Sequence, residues 1–366
     1  MTRARLRELG IAIGNLQPGP CNAITDVPGV RVGYAAVVHD EPVVARSGVT
    51  VIWPADSDIW ESAVFAGCHS FNGNGEMTGT FWLAEQGLLS TPIAIANTHS
   101  VGNVRDALLD YAAQEGVKRP WLLPVAAETY DGWLNTAERV TISREMVFDA
   151  LRRAHGGALA EGNVGGGTGM ICYEFKGGTG TASRSTEIGG SRFTVGALVQ
   201  ANYGRRDLLL VSGVPVGREI GLDEVPSPKV ASDAAGSIIV VIATDAPLLP
   251  VQCQRLARRA TIGLARAGGI GANGSGDLFI AFSTGNRIPI QGTLHDARFL
   301  GADAMNGLFE AAAEATEEAI LNALTGAETM TGRAGRTAFA IPLDRVREIV
   351  NARLKPRVWA ANGSSG

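Results

Sequence analysis

Residues 232–247 read SDAAGSIIVVIATDAP. Ile238 to Ile242 are five consecutive β-branched apolar residues. Such a run describes a strand buried on both faces, because a half-solvated strand alternates apolar and polar positions. A strand of that kind needs covering layers above and below it, so this run decides the class of fold. The Gly236–Ser237 pair at its entrance is out of keeping with that depth. The ordinary reading is a turn, with Gly236 giving backbone freedom and Ser237 satisfying its hydroxyl locally.

A second stretch changes the balance. GANGSGDLFIAFSTGN (271–286) places Ser275 and Asp277 just before another apolar strand. Residues two apart on a strand share a face, so Ser275 and Asp277 point the same way. If that strand neighbours the one starting at Ser237, the three polar residues gather at one sheet edge. The bland alternative is a tight turn with Asp277 capping backbone amides.

Outward from these stretches, strands are expected at 29–38, 48–54, 92–98, 193–202, 208–213, 237–244 and 277–284. Helices are expected at 102–116, after the Ser143 N-cap, after Leu249-Pro250, and at 303–326. The acids Glu314, Glu317 and Glu318 of the last helix are expected to face solvent. Strands interleaved with helices, without a convincing linker, suggest a single layered domain over residues 1–366. The tail at 361–366 reads as flexible in composition.

Composition excludes several classes. Lys plus Arg total 32 and Asp plus Glu total 36, for a net charge of −4. That balance argues against a nucleic-acid partner. The basic residues of 255–268 recur at helical spacing and read as a solvated helix face. No apolar run approaches a membrane span, and no secretory signal is visible. The four cysteines are scattered, which suits reduced thiols, and a cytoplasmic location is expected. No zinc spacing appears, and no metal or cofactor is expected. EGNVGGGTGM (161–170) lacks the Lys-Ser/Thr ending of a phosphate loop and reads as a close-packed loop. No G-x-S-x-G elbow is present. His99, within ANTHSVGN (96–103), reads as structural or pocket-lining rather than a ligand.

The two stretches together resemble the self-processing aminopeptidases, a family that includes the L-aminopeptidase/D-amidase-esterases and the β-peptidyl aminopeptidases. NAITDVPGVRVGY (22–34), ANTHSVGN, AAETYDGWLN (126–135) and VQANYGRRDLLLVSGVPVG (199–217) extend the resemblance over nearly the whole chain, in order. The resemblance implies an α+β fold, a four-layer α-β-β-α sandwich of the N-terminal-nucleophile type. It implies cleavage at Gly236–Ser237 into a large subunit, 1–236, and a small one, 237–366. It places the nucleophile on Ser237 and the relay pair on Ser275 and Asp277, where some members carry glutamate. It places oxyanion donors on Asn202 and Tyr130, and the acid that holds the substrate amine on Glu128. Trp133 is a candidate pocket residue.

The chemistry implied needs neither histidine nor metal. Ser237 Oγ attacks its own upstream carbonyl, an N-to-O acyl shift follows, and water hydrolyses the ester. Cleavage frees an α-amine of reference pKa about 7.7–8.0, which then serves as base to the same residue's hydroxyl. The expected substrates are peptides, amides or esters with a free amino terminus. A homo-oligomer of processed pairs, a tetramer, is also implied. Two rivals are an acyltransferase of the ornithine acetyltransferase type, which cuts before threonine, and a non-catalytic binding module.

Overall fold

Ser237–Thr244 forms strand β11, and all of its residues are buried. The computed structural model describes residues 3–353 other than 56, 140 and 228–235. The tail at 361–366 and the four residues before Gly236 lie outside the described residues.

β11 sits inside a six-stranded sheet. Its order is β4 (Leu88–Leu89), β3 (Ser62–Gly73), β12 (Gly276–Pro289), β11, β10 (Ser191–Asn202) and β9 (Gly178–Ile188). A four-stranded sheet runs β1 (Arg31–His39), β2 (Ala45–Trp53), β5 (Ile93–Asn97) and β6 (Val125–Thr129). Two short hairpins pair β7 (Ile171–Cys172) with β8 (Phe175–Lys176), and β13 (Met330–Thr331) with β14 (Thr337–Ala338).

The pleat divides the β11 side chains between two cores. Ile239, Val241 and Ala243 face the second sheet, where they join Ile52, Ile93 and Ile95. Ile238, Val240 and Ile242 face helices α5 (Pro250–Ala257), α6 (Ala260–Arg266) and α7 (Asn306–Thr325). The smaller sheet is covered on its other side by α2 (Val101–Gln114) and α3 (Arg144–Arg152). The result is the four-layer α-β-β-α sandwich that the resemblance implied. Each fully buried Ile or Val contributes roughly 1.5–3 kcal/mol, which is why a run of five holds this strand at the centre. Three further helices, α1 (Thr80–Gln86), α4 (Val216–Glu219) and α8 (Leu343–Arg353), complete the α-helices among the described residues.

Several expectations need correction. Residues 208–213 are not a strand; a 3-10 turn at Arg206–Leu208 leads to a tight turn in which Ser212 takes φ +52°. The apolar character there comes from Leu209 and Val211 packing into the outer core. The basic segment is two helices rather than one, and Arg255 and Arg259 lie over the Phe309 ring. Strands β3, β6 and β9 were absent from the expected set. β9 is rich in Gly, Thr and Ser because α7 crosses it closely, and a Cβ at Gly180 would collide with the Ala319 carbonyl.

Glu314, Glu317 and Glu318 are buried, not solvent-facing. The α7 face that carries them is closed off by β9, α6 and the N-terminal segment. Arg184 of β9 is fully buried and pairs with Glu314 at 3.0 Å and Glu318 at 2.5 Å. Glu314 also accepts from the Asn15 and Leu16 backbone N–H groups, and Glu318 from Arg7 Nε and Asn22 Nδ2. Buried carboxylates persist only when paired and hydrogen-bonded in this way.

Among the described residues, no helix is long and apolar enough to cross a membrane. Among them, no group of three or more His, Cys, Asp or Glu side chains is arranged to hold a metal ion.

Candidate active site

The site forms where the two sheets meet at one end of the sandwich. β10 and β11 run antiparallel, which brings the last residue of one, Asn202, opposite the first of the other, Ser237. In the second sheet, β5 and β6 run parallel and both end here, with Thr98 following one and Glu128 near the end of the other. A cavity of about 1160 Å³ is lined by Ser237, Gly236, Asn202, Glu128, Tyr130 and Trp133, among others.

Ser237 is 7% exposed, and its Oγ accepts a hydrogen bond from the Gly276 N–H at 3.2 Å. The same N–H lies 3.1 Å from the Gly236 carbonyl oxygen. Gly236 itself has no left-handed φ. Its requirement is space: a Cβ there would collide with the Asn202 carbonyl oxygen and sit 2.7 Å from the Tyr203 Cα. The glycine before Ser237 is therefore explained by a close backbone approach rather than by a turn.

Glu128 is 3% exposed. Its carboxylate accepts from the Glu76 backbone N–H at 3.0 Å and from the Thr98 hydroxyl. Burial raises its pKa, while those two donors pull the other way. Among the described residues no cation forms an ion pair with it, and a buried carboxylate with two donors is equipped to accept a cation from a ligand.

Asn202 accepts from the Ile171 N–H at 2.8 Å and donates to the Tyr130 carbonyl at 2.7 Å. A primary amide has two N–H groups, so its orientation is fixed while one donor remains for the cavity. Tyr130 is half-exposed, with its ring edge-on to His99 at 6.0 Å between centroids. His99 is held in turn by the Ala137 carbonyl, 2.7 Å from Nδ1, which is a structural role. Trp133 lies at the cavity wall beneath the guanidinium of Arg336, 4.5 Å from the ring centroid.

Ser275 and Asp277 are together, with Ser275 Oγ donating to Asp277 Oδ1 at 2.6 Å. Burial pushes the Asp277 carboxyl up to about 6. The two are not on the side of the sheet where Ser237 opens. In the parallel β11–β12 register Ser237 aligns with Gly276, whereas Asp277 aligns with Ile238 and so faces the outer core. A small cavity that includes Tyr203 and Gly204 is lined by this pair, separate from the one that holds Ser237. The pair thus lies beneath the start of β11, one backbone thickness from the hydroxyl.

Sequence reasoning missed Thr98, Glu76 and Arg336, all of which line the main cavity. Thr98 stands inside a quoted motif, beside the histidine that drew attention. Arg336 sits in a glycine-flanked turn and carries no local signal. A second cavity, about 1320 Å³ and lined by Trp53, Trp60, Trp82 and Trp121, contains none of the residues around Ser237.

Comparison with known proteins identifies the family of the chain. A family profile described as Peptidase family S58 matches residues 22–338. The beta-peptidyl aminopeptidase BapA of Sphingosinicella microcystinivorans is 45% identical, over 94% of this chain and 91% of that one. The solved beta-aminopeptidase of Burkholderia sp. is 48% identical with a TM-score of 0.90, covering 96% of this chain and 100% of that one. The L-aminopeptidase D-Ala-esterase/amidase of Ochrobactrum anthropi, described as a prototype serine aminopeptidase and a variant of the Ntn hydrolase fold, is 44% identical with a TM-score of 0.87, over 95% and 98% of the two chains.

Proposed function

This chain belongs to peptidase family S58 and is a serine aminopeptidase acting on peptides; from that premise we propose that it matures by cutting its own Gly236–Ser237 bond and then uses Ser237 as nucleophile. The comparisons do not favour the acyltransferase reading. The observation that carries the proposal is the position of Ser237. Its hydroxyl opens into a cavity that also holds a buried carboxylate, Glu128, with no ion pair among the described residues, and the anchored amide of Asn202.

Self-cleavage begins with Ser237 Oγ attacking the Gly236 carbonyl carbon. Tethering of the two groups replaces a bimolecular encounter. The Gly276 N–H polarises the carbonyl oxygen. The C–N bond breaks, an ester forms on Oγ, and water releases the 1–236 subunit. Ser237 then carries a free α-amine at the head of the 237–366 subunit.

That amine takes the proton from Ser237 Oγ as it attacks a substrate carbonyl. No longer committed to a peptide bond, the new terminus turns toward Ser275, whose oxygen accepts from it while the Ser275 O–H goes on donating to Asp277. The Asp277 carboxylate stabilises the ammonium formed. Asn202 and Tyr130 donate to the developing oxyanion, an effect worth about 3 kcal/mol per donor in such sites. Glu128 pairs with the substrate's ammonium, which limits attack to the first residue. Trp133 forms the wall. The acyl-enzyme is hydrolysed by water, with no metal or cofactor in any step.

Amides and esters with a free amine fit the same sequence of events. Processed pairs are taken to assemble into a homo-oligomer, a tetramer, which light scattering tests. Among the described residues the four cysteines form no disulfide, in keeping with the proposed cytoplasmic location.

The deciding experiment is the mass of the active enzyme under denaturing conditions, beside the Ser237→Ala variant. The active enzyme is expected as two chains split before Ser237, and the variant as one uncut, inactive chain. A fully active intact chain overturns the proposal, and so does cleavage that persists in the variant.

A further inference from the structure

Arg336 is the only cation among the described residues lining the Ser237 cavity. Its hairpin is fastened to the segment that carries Trp133. The Arg333 N–H donates to the Leu134 carbonyl at 2.8 Å, and Arg46 Nε donates to the Thr331 carbonyl at 2.8 Å. Arg333 also pairs with Glu138 at 2.7 Å. A Cβ at Gly332 would collide with the Leu134 backbone, so the two segments touch without side chains between them. The cavity wall is therefore built from both sides of the proposed cleavage point, Trp133 before it and Arg336 after it.

The guanidinium carbon lies over the indole, 4.5 Å from the ring centroid. A cation–π contact engages the charge and not the N–H hydrogens, which leaves donors for a ligand. Arg336 is exposed, and among the described residues no carboxylate stands within ion-pair distance of it. A guanidinium held over an aromatic ring with no carboxylate on it is suited to receive one, since two parallel N–H groups match two carboxylate oxygens. The cavity then carries a buried anion, Glu128, and a rim cation, Arg336.

We propose that Arg336 is a specificity-determining residue that binds a carboxylate on the leaving side of the substrate, so that the site selects short zwitterionic peptides. This rests on the aminopeptidase reading, with Glu128 on the amine. The carboxylate comes either from the free C-terminus of a dipeptide or from an acidic second residue. Longer neutral peptides carry their terminal carboxylate past the guanidinium and lose the contact.

The test compares Ala-Ala, Ala-Ala amide and Ala-Asp amide, with their β-alanyl counterparts, on the full enzyme and on Arg336→Gln and Arg336→Lys. In the wild type, kcat/KM for Ala-Ala is expected to exceed that for Ala-Ala amide by about tenfold or more, through KM. Ala-Asp amide tells whether a side-chain carboxylate serves equally. Arg336→Gln is expected to bring carboxylate substrates down to the amide level while Ala-Ala amide stays within about twofold. Arg336→Lys is expected to keep part of the preference, since a lysine supplies charge without the fork. The wild-type preference is also expected to shrink as salt rises, an observation that needs no variant. Equal rates on acid and amide in the wild type sink the proposal. So does an Arg336→Gln variant that loses activity equally on every substrate. Absence of hydrolysis of all of them by the wild type points instead to failure of the aminopeptidase reading itself.

Discussion

Ser237 and Gly276 are register partners across the parallel β11–β12 pair, and the Gly276 N–H reaches Ser237 Oγ at 3.2 Å. The same donor stands 3.1 Å from the Gly236 carbonyl oxygen. One backbone group therefore touches the attacking hydroxyl and the oxygen of the bond it is proposed to break. The donor in both contacts is a backbone group, which gives it the rigidity of the sheet.

Gly236→Ala is expected to slow maturation by about tenfold or more. The added Cβ meets the Asn202 carbonyl, and relieving an overpacked contact of this kind costs roughly 1–3 kcal/mol. A time course of chain cutting by denaturing electrophoresis measures this. Cutting at the wild-type rate removes the close approach as the reason for the glycine.

Glu128→Gln is expected to lower kcat/KM for substrates with a free amine. A hydrogen bond to a charged partner is worth roughly 1.5–3 kcal/mol, about 10- to 150-fold. N-acetylated substrates, poor in both proteins, are expected to change little. Equal losses on both classes take Glu128 out of amine recognition.

Asp277 gives a pH signature. Burial pushes it up to about 6, so the folded state holds its proton more tightly than the unfolded chain does. Its contribution to stability is therefore fully present below about pH 4 and is lost as pH climbs through 6, at most about 3 kcal/mol. Asp277→Asn is expected to flatten that part of the stability profile. In kcat/KM the acid limb is expected to move to lower pH, because loss of a nearby negative charge lowers the pKa of the Ser237 amine. An unmoved limb rules out contact between Asp277 and the base.

Arg184→Met is expected to destabilise the protein by about 3–5 kcal/mol, because it leaves Glu314 and Glu318 buried without their cation. Urea denaturation measures the loss. Adding Glu314→Gln and Glu318→Gln is expected to restore part of it. The cluster joins β9 to α7, which lie on opposite sides of the proposed cut. An Arg184→Met protein as stable as wild type shows that this cluster does not bind the two halves together.

Local pattern alone determined the double-sided strand at 237–244, the Ser143 cap and the approximate extents of α2 and α7, because each is written in residues a few positions apart. The Ser143 hydroxyl does accept from the Met146 N–H. The Gly-Ser pair and the Ser275–Asp277 spacing were also visible in the chain. Tertiary structure decided what stands beside them. Alternation on β12 put Ser275 and Asp277 on one face, but only the β11 register shows that face to be opposite the Ser237 hydroxyl. The α7 acids looked solvent-facing because nothing near them in sequence announces Arg184. Arg336 over Trp133 was equally invisible. The Arg184 and Arg336 contacts join residues more than 100 positions apart and the β11–β12 register joins residues 39 apart; all follow from strand pairing and layer packing, which no short window of sequence encodes.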